Sequence, residues 1–167
     1  MPTPNRLIVC NATPIISLSL IGQLTLLEKL YSNVIIPPAV AAEVLAGGRK
    51  RVGVSEFQQA SWLEQRPLAD PRRADLLVDL DRGEAEVIAL AQELNADLVI
   101  IDERLGRRHA GRLGLPITGT LGVLLKAKQA GLVTELSPLI THLRHGGIRL
   151  GDGVVAKVLQ LAGEAYR

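Results

Sequence analysis

The sequence predicts an α/β fold, a central parallel sheet with helices on both faces, and three observations carry that prediction. Short apolar, β-branched runs alternate with helical segments, the pattern of βαβ units whose strands are buried on both sides. Hydrophobic residues make up 47% of 167 positions, enough for a core without disulfides or a structural metal. The stretch 83–125 reads as helix, buried strand, basic helix, short strand and glycine-marked helix start. Its apolar run Leu98–Ile101 stops at Asp102-Glu103, and arginines follow at once. In open α/β sheets the functional crevice lies outside the carboxyl ends of the strands. An acid there beside arginines points to a site for a cation and a phosphate.

Taken in order, Arg6–Cys10 is an apolar run, and Asn11 stands where it can cap a helix over Pro14–Leu20. That helix continues toward Gln23–Tyr31 with an interruption near Gly22. The run 33–36 (NVII) is a second buried strand, closed by Pro37-Pro38, and a short helix covers Pro38–Leu45 because proline suits a first turn. Gly47-Gly48 stops it. A helix is expected over Val54–Ser61, and Trp62–Arg66 alternates as an edge strand does. Arg73–Leu80 looks helical after the Asp70-Pro71 turn. Asp81–Glu84 precedes a strong helical pattern with Val87, Ile88, Ala91 and Leu94 on one face. Next come a strand at 97–101, a helix at 103–113, a short strand at Pro116–Thr118 and a helix from Thr120 to Ala130, stopped by Gly131. Ser137–Arg144 and Val154–Ala165 complete the helices. No repeat, low-complexity tract or linker divides the chain, so 1–167 is expected to be one domain.

The bulk numbers exclude several classes. Cys10, the one cysteine, lies in the first apolar run, where it reads as a small buried hydrophobe. There is no disulfide framework, no apolar signal-peptide core near the N-terminus and no segment approaching a membrane span, so a cytoplasmic protein without membrane association is expected. A net charge of +2 says little, but four arginines fall within 104–112. Aromatic residues at 2% argue against a base-stacking platform, so phosphate contacts are expected to dominate any binding of nucleic acid. No Walker pattern appears, and Gly119-Thr-Leu-Gly122 is too short a signal for a dinucleotide loop. His109, His142 and His145 lack zinc-ligand spacing.

Asn11, Glu43, Glu84 and Asp102 fall where a sheet edge can gather them, and each has an ordinary explanation. Asn11 suits an N-cap, Asp81-x-x-Glu84 resembles a capping box, Asp102 can cap the helix starting at Glu103, and Glu43 can sit on a solvated helix face. Together they point to an ion. Clustered carboxylates repel unless a cation compensates, and oxygen-only ligands suit Mg²⁺ or Mn²⁺. Such ions activate water in phosphodiester cleavage. At helical spacing Arg104, Arg108 and Arg112 form a stripe able to follow a phosphate backbone, with a solvated basic face as the alternative.

Four collinear motifs carry a resemblance over nearly the whole chain, weakest at 46–80. They are VCNATPIISLSLIGQL at 9–24, VIIPPAVAAEVL at 34–45, DRGEAEVIALA at 81–91 and LVIIDERLGRRHAGRLGLPITGTLGVLLKAKQAGL at 98–132. The chain resembles the PIN-domain superfamily, specifically the DUF3368 group of VapC-like proteins. The resemblance implies a three-layer α/β/α sandwich with strand order 3-2-1-4-5. It also implies a Mg²⁺- or Mn²⁺-dependent endoribonuclease, often the toxin of a toxin–antitoxin pair. Matching positions give Asn11, Glu43, Glu84 and Asp102 as catalytic, and Glu43, Glu84, Asp102 and Glu103 as metal ligands. Thr13 matches the residue that supports the first loop, and with Arg104, Arg107, Arg108 and Arg112 it is expected to hold substrate. Glu86 lies two residues along the helix from Glu84 and so turns roughly 200° away.

Asn11 departs from the wider family's pattern, which carries an acid there, while the resemblance implies that Asn is familiar at this place in the subgroup. An amide offers one carbonyl oxygen but neither compensates charge nor acts as a base. Two readings follow: a working nuclease that tolerates an amide, or a silent PIN-fold module that binds RNA or protein. The resemblance further implies RNA as substrate, a small antitoxin protein as partner and a homodimer.

Overall fold

The computed structural model describes residues 6–48 and 50–165. Its centre is a parallel five-stranded sheet made of β1 (Ile8–Cys10), β2 (Val34–Ile36), β3 (Leu63–Gln65), β4 (Leu98–Ile100) and β5 (Ile117–Thr118). They run in the order β3-β2-β1-β4-β5, as the resemblance implied. β1 and β2 are wholly buried, which explains their unbroken apolar sequences. β3 lies at an edge, as its alternation predicted, and there Glu64 meets Arg66 Nε at 2.6 Å.

Helices complete a three-layer α/β/α sandwich. α1 (Ala12–Leu20) and α2 (Thr25–Tyr31) separate at the Gly22 interruption, and both pack on α8 (Thr120–Gln129). α6 (Arg82–Leu94) lies against β1 and β4 and touches α3 (Pro38–Ala46), α5 (Arg72–Asp75) and α7 (Arg104–Arg112). α4 (Val54–Gln59) packs on α3, α10 (Asp152–Leu161) packs on α8, and α9 (Ser137–His145) precedes α10. One continuous apolar core runs from Ile8 to Leu159.

The expected helix over Arg73–Leu80 shrinks to the single turn of α5. Leu76 and Val78 are 80% and 88% exposed, so no buried stripe holds a longer helix there. The turn is fastened from outside instead. Glu93 accepts from the backbone N–H groups of Ala69 and Asp70, and Arg82 reaches Asp75 at 2.6 Å. Glu86 does face away from Glu84, accepting from the Ala39 N–H at 3.1 Å, where α3 begins without a capping side chain of its own.

The chain winds outward from β1 to β3, then crosses back to β4 on the other side of β1. The reversal between β1 and β4 is the topological switch point, where an α/β sheet opens a crevice at its carboxyl edge. Cys10 pairs with Ile100 in register, so Asn11 and the Asp102–Glu103 pair leave the sheet side by side.

Candidate active site

The site is built on that edge. Asn11 is fixed by its N–H, which donates to Ile100 O at 2.9 Å and extends the β1–β4 pairing by one residue. It stands at the N-cap of α1, but its side chain caps nothing. The amide nitrogen Nδ2 donates instead to Glu103 Oε2 at 3.0 Å, and the Thr13 hydroxyl donates to Glu103 Oε1. Both side chains thus hold one carboxylate across the switch point.

On one side of this pair lies a hollow beside Gly83. A methyl group on Gly83 would stand 3.6 Å from Asp81 Oδ1, 3.6 Å from Glu43 Oε1 and 3.7 Å from Asn11 Oδ1, so three oxygens converge on the space a side chain would fill. Glu43 comes from the exposed face of α3. Glu84 is buried next to the hollow in the capping box its sequence suggested: its N–H donates to Asp81 Oδ1 at 2.8 Å, and Asp81 N–H donates to Glu84 Oε2 at 3.4 Å. Capping and clustering are therefore not alternatives here; Glu84 does the first within reach of the second.

On the other side Asp102 is pinned at the start of α8, accepting from Thr120 N–H at 2.7 Å and from the Thr120 hydroxyl at 2.6 Å. It caps that helix and not the one that begins beside it, since Glu103 is the N-cap of α7. Arg107 Nη1 donates to Ile101 O at 3.1 Å and lines, with Asp102, Glu103 and Thr13, a cleft of about 700 Å³. The far wall is Gly147–Gly151 and α10. Arg104, Arg108 and Arg112 are exposed on α7 outside this lining.

Burial and mutual repulsion disfavour the ionised form of these acids. Desolvation raises the Glu43 carboxyl above its ordinary value, and the charges of Asp81 and Glu103 raise it further. Glu84 is raised by burial first, then by the same two neighbours. Asp102 is raised chiefly by burial, against the opposing effect of its bonds to Thr120. Burial also pushes the Cys10 thiol well up, so it is no nucleophile.

An oxygen-only set whose charges repel fits a hard divalent cation by type. Among the described residues no three His, Cys, Asp or Glu side chains form a group that could hold an ion as they stand; Asp102, Glu103 and Glu84 each accept hydrogen bonds from the protein. Asp81, Thr120 and Arg149 were not singled out from sequence. Asp81 reads as half of a capping box, and Thr120 reads as a helix start with no partner implied. Arg149 lines the cleft from a stretch without any motif.

Gly83→Ala tests the hollow. Alanine is favoured over glycine in a helix by up to ~1 kcal/mol, and its methyl lies at ordinary contact distance. The variant should melt higher and bind Mn²⁺ more weakly by titration calorimetry. Unchanged Mn²⁺ affinity would show that no ion is held beside Gly83.

Fold and site together define a doubly wound α/β protein with an acidic crevice at its switch point. The chain matches the family model DUF3368, described as PIN domain, over residues 7–164, and it belongs to that family. No curated protein matches it. PIN domains are generally nucleases and typically use divalent metals. Among the described residues no helix is long and apolar enough to cross a membrane.

Proposed function

We propose that the chain is a divalent-metal-dependent endoribonuclease of the VapC-like type, the toxin of a toxin–antitoxin pair acting in the cytoplasm. The observation that supports this most is the gathering of Asn11, Glu43, Asp81, Glu84, Asp102 and Glu103 at one carboxyl edge of a PIN-family sheet. Glu43, Glu84 and Asp102 would hold Mg²⁺ or Mn²⁺, supported by Asn11 and Glu103. A bound ion supplies an activated water and stabilises charge on the attacking and leaving oxygens. The protein's own part is orientation. Thr120 and the start of α8 fix Asp102, and Thr13 fixes Glu103. Arg107 and Arg149 hold RNA phosphates along the cleft, and Arg104, Arg108 and Arg112 extend the basic track over α7. A small antitoxin protein and a second copy of the chain are the expected partners.

The rival reading is a silent PIN-fold module that binds RNA or protein, favoured by the neutral amide at position 11. Cleavage of structured RNA with and without Mn²⁺ separates the two. The nuclease reading expects metal-dependent cutting that Asp102→Asn abolishes in a folded protein. RNA bound but left intact by the parent supports the binding module. A small reading frame adjoining the gene supports the toxin assignment in particular.

A further inference from the structure

Asn11 is 3% exposed and lies between two groups of acids. Its Nδ2 donates to Glu103, and its Oδ1 faces the hollow shared with Glu43 and Asp81. At this place a side chain must give a hydrogen bond on one side and offer an oxygen on the other. Asparagine does both, whereas an ionised aspartate has no proton to give. An aspartate here would set two carboxylates against each other in a buried space, where an unpaired charge is costly.

The amide therefore has a task of its own. We propose that Asn11 is a positioning residue for Glu103: the carboxylate that serves the cation from the β1–β4 junction stands at 103, and position 11 is neutral because 103 is charged. Thr13 completes the hold on the second carboxylate oxygen, and each of the two oxygens keeps a lone pair for a ligand. Asn11 is on this account the matched half of an Asn–Glu pair. The inference rests on the nuclease reading for the cation, but the pairing itself rests on the hydrogen bonds alone.

An exchange of the two groups tests it. In Asn11→Asp/Glu103→Gln the glutamine amide donates to the new aspartate, its carbonyl accepts from Thr13, and the net charge is unchanged. Four proteins are compared, the parent, the two single variants and the double, for metal-free melting temperature and for Mn²⁺ affinity by calorimetry. Asn11→Asp should lower the metal-free melting temperature, and Glu103→Gln should weaken Mn²⁺ binding about tenfold or more. The double variant should regain the melting temperature and return to within about threefold of the parent's affinity, where independent sites would simply add. Should Asn11→Asp not fold, the double variant is still expected to fold, and its failure overturns the pairing. Additive effects in both measurements also overturn it, as does an Asn11→Asp protein that binds Mn²⁺ more tightly without loss of stability. A parent that binds no Mn²⁺ and cuts no RNA overturns the nuclease reading; the melting cycle then judges the pairing alone, and additive melting temperatures there defeat it.

Discussion

Glu84→Gln is expected to lose metal-dependent RNA cleavage by about a hundredfold or more while melting higher than the parent in the absence of metal. The two halves have one cause. Glu84 is 8% exposed, and its carboxyl is raised by burial and by the neighbouring charges of Asp81 and Glu103, so its ionised form is unwelcome in the metal-free fold. Glutamine keeps the capping box, since its side-chain oxygen accepts from Asp81 N–H as the glutamate does. What disappears is the charge. Losing a charged ligand removes several kcal/mol of transition-state stabilisation, at ~1.4 kcal/mol per tenfold in rate. Relieving repulsion raises the melting temperature by about 2–4 °C for each kcal/mol recovered.

The sign with pH follows from the same carboxyl. A group raised by folding contributes stability that is fully present below its unfolded pKa and is lost as pH rises through the folded one. Below about pH 4 the parent glutamic acid is protonated and as neutral as glutamine, so the two proteins should melt alike in that range. Their melting temperatures should separate as pH rises through the raised value, with the variant above. Mn²⁺ should close the gap from the parent's side, because the ion stabilises only the protein that binds it. Thermal melts at a series of pH values check this. A variant that melts below the parent at neutral pH without metal would show that Glu84 is a structural cap alone.

The sheet and the crevice were legible because buried parallel strands and helix starts leave local marks. Val34–Ile36 and Leu98–Ile100 are continuous apolar runs, and Pro38, Gly47 and Gly131 punctuate the helices they bound. The acids were legible as positions after strands. Their orientations were not. Whether Asp102 caps α7 or α8 depends on how β5 brings Thr120 across from 18 residues away, and no spacing in the chain encodes that distance. Nor does any pattern show that Asn11 abandons its own helix for Glu103, a partner 92 residues on. The arginines divide for a similar reason. Periodicity groups Arg104, Arg108 and Arg112, but Arg107 is the one turned to the cleft, where the carbonyl of Ile101 at the end of the sheet receives it. Residues 73–80 carry Ala74, Leu77 and Val78 at helical spacing, yet Val78 faces solvent and leaves no buried stripe to hold the helix.

Gly119→Ala should destabilise the protein and silence it together, the opposite of Glu84→Gln. Gly119 is the N-cap of α8 in extended backbone, so its conformation suits alanine and the obstacle is space alone. The added methyl would fall 2.5 Å from Asp102 Oδ1 and 3.0 Å from Arg107 Nη1. Arg107 is long and can swing aside. Asp102 is short, half-buried and held at both oxygens, and its Oδ1 is the atom that receives Thr120 N–H at 2.7 Å. Moving it breaks that bond, disturbs the hydroxyl bond at 2.6 Å and leaves the first turn of α8 uncapped. Overpacking and the lost cap together cost about 1–3 kcal/mol. Gly111→Ala in α7, where the methyl would meet nothing within 4 Å, is the control and should be neutral or slightly stabilising. In an Asp102→Ala background the obstruction is gone, so Gly119→Ala should cost little further, a coupling that melts of the four proteins would measure directly. Equal costs in both backgrounds would mean that the methyl strains the backbone rather than the carboxylate. Asp102 would then not be what requires glycine at the mouth of the cleft.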